Sequence, residues 1–379
     1  MTPLNTLKAL SLSAAMALAS PLLQAQTYAF VSNAVDGTIG SYRLADNGTL
    51  TLLTSTQAGD NVMPLALSPD HRKLYASIRS EPFSVATFAV DPADGSLKLL
   101  SKAAVADSQA YISVDRTGHY LLGASYGNNQ VMVNAIDAQG MVQDGSQQVV
   151  ETGLNAHAII VDHSNRFAYA TNLGSDQLLV FTFDEKTGRL TQSSSVKLPK
   201  NAGPRHAVIS TDNRFLYLLG EMAGTVTSYS IDQTTGALTE VASVQSVPAS
   251  AGLVHGQPRP AATPGQPAPT LPENLIWCAD IRLTPNGRFL YTSERTGSSV
   301  SVFAVDGQTG TLTYLQNIAV EKQPRGIAVD PSGKWLLVTG EKSDEIGVYA
   351  IDPEKGTLTR AGNAPSGKGA NWVETVSYP

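Results

Sequence analysis

A single cysteine, Cys278, occurs in 379 residues, so no intrachain disulfide can form and the fold must be held by packing and hydrogen bonds. Its setting, Trp277-Cys278-Ala279-Asp280 at the entry to a predicted strand, reads as that of a small buried hydrophobe. Charge is also scarce, with Asp, Glu, Lys and Arg making up 15% of the chain against a typical ~25%. Lys and Arg number 26 against 32 Asp and Glu, a formal net charge of -6, which removes the electrostatic case for nucleic acid. Beyond residue 25 no apolar run approaches the roughly 20 residues of a membrane helix, and no membrane anchor is expected. No nucleophile elbow, P-loop, zinc-binding helix or Rossmann glycine pattern occurs.

What is present begins with an export signal. Lys8 is the only charge in the first 25 residues, Ala9 to Leu23 is apolar and small, and Ala25 is a plausible cleavage point. No cysteine lies near that point to carry a lipid, and loss of Lys8 takes the formal charge from -6 to -7. The mature chain, 26–379, is therefore expected to be soluble and periplasmic or secreted. Gly, Ser, Thr and Val replace the missing charges, which suits an all-β domain.

An acidic-to-glycine turn recurs seven times before a Thr/Leu-rich strand, at Gly48, Gly95, Gly140, Gly188, Gly236, Gly310 and Gly356, with intervals of 47, 45, 48, 48, 74 and 46 residues. Length alone suggests about two domains, but a fixed period in this range is the mark of β-propeller blades. One four-stranded sheet cannot bury both faces until radial neighbours cover it. The expected fold is an all-β, seven-bladed propeller of antiparallel blades. Phe167-Ala168-Tyr169, Phe215-Leu216-Tyr217, Phe289-Leu290-Tyr291 and Trp335-Leu336-Leu337 hold equivalent second-strand places and read as blade-to-blade packing. The first copy starts at Tyr28 without an innermost strand, and the chain ends on an orphan strand, Asn371 to Tyr378. The last strand should complete the first blade and so remove the open edges.

The hairpins between first and second strands turn at His71, Gly118, Asn165, Asn213, Gly287 and Gly333. Eight residues back lie Met63, Ala110, His157, Arg205, Ala279 and Arg325; eight forward lie Arg79, Tyr126, Leu173, Glu221, Arg295 and Glu341. Positions equidistant from a turn face each other, so Arg205 should neighbour Glu221, and Arg325 should neighbour Glu341, around one mouth of the central channel. The opposite mouth takes His71, His119 and His163, ordinary loop residues on separate blades and no metal site. The 74-residue interval contains a Pro-rich insertion, 248–274, on the His157/Arg205 side. It reads either as a lid, with His255 and Arg259 as contacts, or as a passive surface loop.

His157, Arg205, His206, Glu221, Asp280, Arg282, Arg325 and Glu341 thus gather at one opening, which is costly unless an anionic or carbonyl ligand uses them. Asn201-Ala202-Gly203-Pro204-Arg205-His206, Asn213-Arg214-Phe215-Leu216-Tyr217 and Gly220-Glu221-Met222 resemble the signature of the bacterial propeller-type 6-phosphogluconolactonases. The segment Ala279 to Tyr291 and Gln323-Pro324-Arg325-Gly326 resemble that family's later blades, so the similarity spans the mature chain. The superfamily includes the 3-carboxy-cis,cis-muconate lactonizing enzyme, whose catalytic His, Arg, Glu and Arg correspond to His157, Arg205, Glu221 and Arg282.

The resemblance implies hydrolysis of a sugar lactone without metal or cofactor. Glu221 or His157 would be the base, and Arg205 and Arg282 would hold the developing oxyanion. Arg325 and His206 would position hydroxyls or an anionic tail, with Asp280 and Glu341 also at the substrate. Export favours D-glucono-1,5-lactone, opened to gluconate in the periplasm, over the cytoplasmic 6-phosphate, although an arginine-rich mouth suits a phosphate. A muconate-type cycloisomerase and a non-enzymatic binding scaffold are the alternatives. Oligomeric state is not legible.

Overall fold

The computed structural model describes residues 25–258 and 271–379. Residues 1–24 of the expected export signal, 1–25, lie outside them, as does Arg259. Seven four-stranded antiparallel sheets form the ring, six of them consecutive along the chain. The first blade is made from both chain ends. Gln26–Asn33 pairs on one side with Thr38–Leu44 and on the other with Ala370–Tyr378, from Gln26 opposite Tyr378 to Ser32 opposite Trp372. The expected closure by the last strand is therefore present.

Strand composition follows position in the blade. Second strands such as Phe167–Asn172, Phe215–Gly220 and Phe289–Glu294 are buried throughout, because a propeller blade is covered on both faces. Outermost strands such as Arg189–Lys197, sequence RLTQSSSVK, are mostly exposed.

Two turn types hold the repeat. In the outer one, an aspartate side chain accepts the amides of residues just ahead of it, as Asp232 does from Thr234 and Thr235 at 2.8 Å. The Gly236 amide closes the loop onto the Asp232 carbonyl at 2.8 Å. Gly236 has φ 72°, and a Cβ there would stand 2.5 Å from the Phe167 ring of the preceding blade. Only glycine meets both conditions. The inner hairpins turn at His71, Asn165 and Asn213 with φ of 59°, 60° and 63°, a left-handed geometry that short polar side chains tolerate.

The blades also grip one another by hydroxyls. Tyr75 donates to the Gly140 carbonyl at 2.9 Å, Tyr169 to Gly236 at 3.1 Å and Tyr291 to Gly356 at 2.9 Å, each reaching the outer turn of the next blade. Tyr217 holds the same strand position as Tyr169 and Tyr291, yet its buried hydroxyl has no partner.

Candidate active site

The innermost strands share a local fault that shapes one end of the channel. Their pairing with the second strands slips between Val62 and Leu65, Ala156 and Ala158, Pro204 and Ala207, Cys278 and Ile281, and Pro324 and Gly326. Each slip is a β-bulge, which bends a strand and re-aims its side chains. The bulged residues include Met63, His157, Arg205, His206, Ala279, Asp280 and Arg325. Five of the six positions reached by counting back from the hairpin turns are therefore bulge residues.

Arg205 is the hub. Only 1% exposed, it donates from Nε to Glu221 Oε2 at 2.8 Å and from Nη1 to the Ala279 carbonyl of the next blade. Glu221 Oε2 also accepts from Arg295 Nη2 at 2.7 Å, and its Oε1 accepts from Trp277 Nε1 at 3.1 Å. The Arg295 guanidinium lies over the Trp277 ring, 3.7 Å from its centroid. One carboxylate thus serves two cations and an indole, the kind of satisfaction a buried charge requires. Burial and then Arg295 push Arg205 below the usual arginine range, but a guanidinium remains a cation at neutral pH.

His206 links this hub to the sixth blade. Its Nδ1 is 2.9 Å from Asp280 Oδ1, so Nδ1 carries the proton and donates, leaving Nε2 to accept from Arg205 Nη1 at 3.1 Å. Burial and the neighbouring Arg205 press the imidazole pKa down to about 3, against the pull of Asp280. At neutral pH the contact is a hydrogen bond from a neutral ring. Burial opposes ionisation of Asp280, but Arg282, the His206 bond and the Ile327 amide outweigh it and hold the carboxyl well below its ordinary value. Arg282 sits two residues further along the strand, donating from Nε to Asp280 Oδ2 at 3.2 Å and to the Ile327 carbonyl at 2.8 Å, and from Nη2 to Glu374 at 3.3 Å.

His157 faces the hub from the fourth blade, its ring centroid 5.2 Å from that of His206 and 5.9 Å from Tyr126. The residue is 5% exposed, and Nδ1 is buried without a hydrogen-bond partner. Burial, then Arg205, His206, Arg325 and Arg295, hold its pKa well below 6.5. Arg325 donates from Nη1 to Glu341 Oε1 at 3.0 Å, and Glu341 Oε2 accepts from Gln323 at 2.7 Å. Burial opposes ionisation of Glu341, yet Arg325 and Arg295 lower its pKa on balance. Both neighbour pairs expected from hairpin symmetry are therefore in contact.

Not every sequence candidate joins this cluster. His255 is exposed, with Nδ1 on the Gly256 carbonyl. The described ends of the insertion do approach the mouth, with the Gly256 amide on the Met222 carbonyl at 2.8 Å. Pro272 and Glu273 line a cleft of about 390 Å³ with Trp277, Arg295, Lys322 and Lys342. Among the described residues, no group of three or more His, Cys, Asp or Glu side chains is arranged to hold a metal ion. Cys278 is fully buried, and burial raises its thiol well above the ordinary range.

Residues 28–375 match the family described as lactonase, seven-bladed β-propeller. The chain belongs to that family. It is 33% identical over 351 residues to a 6-phosphogluconolactonase of Serratia proteamaculans, covering 92% of this chain and 98% of the relative. A 6-phosphogluconolactonase of Xenorhabdus nematophila is 35% identical over 285 residues, 75% of this chain and 78% of that one. Among solved structures, a periplasmic gluconolactonase from Pseudomonas aeruginosa superposes with a TM-score of 0.79 at 24% identity, covering 94% of this chain and 100% of that one. At that identity the likeness shows the fold alone.

For this lactonase-family chain, the site contains residues beyond the eight sequence candidates. Arg295 and Trp277 complete the Glu221 cage. Tyr111, Trp372 and Glu374 flank His206 and Arg282, with Tyr111 4.9 Å and Trp372 5.5 Å from the His206 ring centroid. Arg295 had a usable signal, since it sits eight residues beyond a hairpin turn, but its own-blade partner is the uncharged Ala279.

Proposed function

We propose that the protein hydrolyses a sugar 1,5-lactone outside the cytoplasm, with D-glucono-1,5-lactone opened to gluconate as its substrate. The observation that carries this reading is the buried, unpartnered Nδ1 of His157, whose ring packs 5.2 Å from that of His206, itself in contact with the caged guanidinium of Arg205. Glu221 is committed to three donors, and His206 to Asp280 and Arg205. His157 is the neutral ring left to act as base.

In the proposed reaction, His157 takes a proton from water as its oxygen bonds to the lactone carbonyl carbon. Charge moves onto the carbonyl oxygen, where Arg205 meets it as a preorganised donor. Collapse breaks the bond from carbon to ring oxygen, and that oxygen leaves with the proton from the imidazolium. The product is the hydroxy acid, which loses its carboxyl proton to solvent. Asp280 and Arg282 act through His206 by fixing its tautomer. Glu221 and Arg295 hold Arg205 in place, and Arg325, with Glu341, faces the substrate.

A second reading, hydrolysis of the 6-phosphate, is favoured by the names of the curated relatives. Proton release in a pH-stat, corrected for spontaneous opening and run with and without chelator, tests both substrates. Wild type is expected to accelerate opening of D-glucono-1,5-lactone, and His157→Asn to lower kcat by about 10²–10⁴-fold. Turnover confined to the 6-phosphate would overturn the substrate assignment. Unchanged activity in His157→Asn would overturn the assignment of the base.

A further inference from the structure

We infer that the described ends of the Pro-rich insertion form a clasp that positions Arg205 for the reaction, with Trp277 and Glu294 as its positioning residues, a reading that rests on Arg205 as the oxyanion donor of the lactone-opening site. The two ends are first tied to each other. Val254 donates its amide to the Asn274 carbonyl at 2.9 Å, and Ile276 donates its amide to the Val254 carbonyl at 2.8 Å. The joined ends then hold the turn that carries Glu221 at two adjacent residues, with the Gly256 amide on the Met222 carbonyl at 2.8 Å and the Cys278 amide on the Glu221 carbonyl at 3.0 Å. The packing there is tight. A Cβ at Gly256 would stand 2.6 Å from the Ile276 carbonyl oxygen and 2.9 Å from Met222 Cα.

Glu294, itself buried, fixes Trp277 from the sixth blade. Its Oε1 accepts the Trp277 amide at 2.8 Å and the Thr296 amide at 3.1 Å, and its Oε2 accepts the Gly297 amide at 2.5 Å. The Thr296 hydroxyl adds a bond to the Leu275 carbonyl at 2.6 Å. The indole is thereby held where its Nε1 meets Glu221 Oε1 and its ring meets Arg295. A carboxylate has two accepting oxygens and can turn to take a single guanidinium bidentately. With the indole on Oε1, Arg205 and Arg295 share Oε2 instead. That sets the direction of Arg205. Its Nε is engaged by Glu221 and its Nη1 by His206 and the Ala279 carbonyl, so Nη2 is the nitrogen left to donate to a carbonyl oxygen. Releasing Oε1 lets the carboxylate rotate and the guanidinium follow it, and a donor displaced by a fraction of an ångström loses rate steeply.

Two variants separate positioning from substrate access. Trp277→Phe keeps an aromatic ring for Arg295 and removes the N–H, whereas Gly256→Ala lies outside the cage and wedges the clasp apart. Both are assayed with wild type on D-glucono-1,5-lactone and its 6-phosphate, alongside thermal melts. The Trp277 indole N–H, one of three in the chain, is followed by NMR and assigned by its loss in Trp277→Phe, as a readout independent of turnover. Both variants are expected to lower kcat by about tenfold or more with little change in KM, and Gly256→Ala to displace the indole signal. A kcat within about threefold of wild type in either folded variant overturns the proposal, and a loss carried by KM assigns the insertion to substrate access instead. If one variant fails to melt cooperatively, the other decides. Loss of the fold in both also overturns it, because the clasp would then hold the blades together rather than aim Arg205. Failure of wild type to open either lactone overturns the proposed function. In that case the indole signal decides the coupling, which stands if Gly256→Ala displaces it and falls if the signal is unmoved.

Discussion

Replacing Arg205 by lysine keeps the positive charge and removes the geometry. The guanidinium, 1% exposed, donates in three directions: from Nε to Glu221 at 2.8 Å, from Nη1 to His206 Nε2 at 3.1 Å, and from Nη1 to the Ala279 carbonyl. An ammonium on a flexible stem cannot reproduce a planar fork. The fold should survive, because Glu221 retains Arg295 and Trp277. Loss of one charge-assisted bond costs about 1.5–3 kcal/mol of stability. The chemical step should suffer as it does when one oxyanion donor is removed, by ~2.7–4 kcal/mol. At about 1.4 kcal/mol per decade, kcat falls by roughly 10²–10³. KM should change little, since the contact gains strength only in the transition state. The assay is the pH-stat on D-glucono-1,5-lactone, with a thermal melt to establish folding. A cooperatively folded Arg205→Lys with kcat within about threefold of wild type would refute the assignment of Arg205 as the oxyanion donor.

The acid limb of kcat/KM should lie well below pH 6.5. A base whose pKa is lowered stays in its working, neutral form as pH falls through 6.5, and burial, Arg205, His206, Arg325 and Arg295 all lower that of His157. A limb centred at 6.5 would contradict this. At the rim of the blades, Tyr169→Phe should cost about 1 kcal/mol in urea unfolding by stranding the Gly236 carbonyl. Tyr217→Phe should be neutral or slightly stabilising, because its buried hydroxyl has no partner; equal losses in the two variants would contradict the difference.

The ring, its closure and the two in-blade pairs were legible because each follows from a period or a turn. A glycine with positive φ at a regular spacing marks the blade, and hairpin symmetry carries Arg205 to Glu221 and Arg325 to Glu341. Contacts between blades were not legible in the same way. Arg295 faces the uncharged Ala279 in its own hairpin and finds Glu221 only across the blade boundary. Trp277 arrives from the end of the insertion, while Trp372 and Glu374 arrive on the closing strand. The bulges were hidden as well. Turn counting assumes an unbroken ladder, whereas the slip between Pro204 and Ala207 lets the adjacent Arg205 and His206 serve one network.

The second-strand rings that pack on the outer turn of the following blade do so in a single rotational sense, from Phe167 on Gly236 and Phe215 on Gly310 to Phe289 on Gly356. Tyr28 carries this pattern across the seam to the Ala93 carbonyl, and the Trp335 ring lies beneath Gly48 where the last repeat meets the first. Every repeat therefore supplies the latch for one neighbour and the catch for the other. Loss of half a repeat would leave an orphaned latch on one side and an empty catch on the other, so such a ring can change size in evolution only by gaining or losing whole repeats.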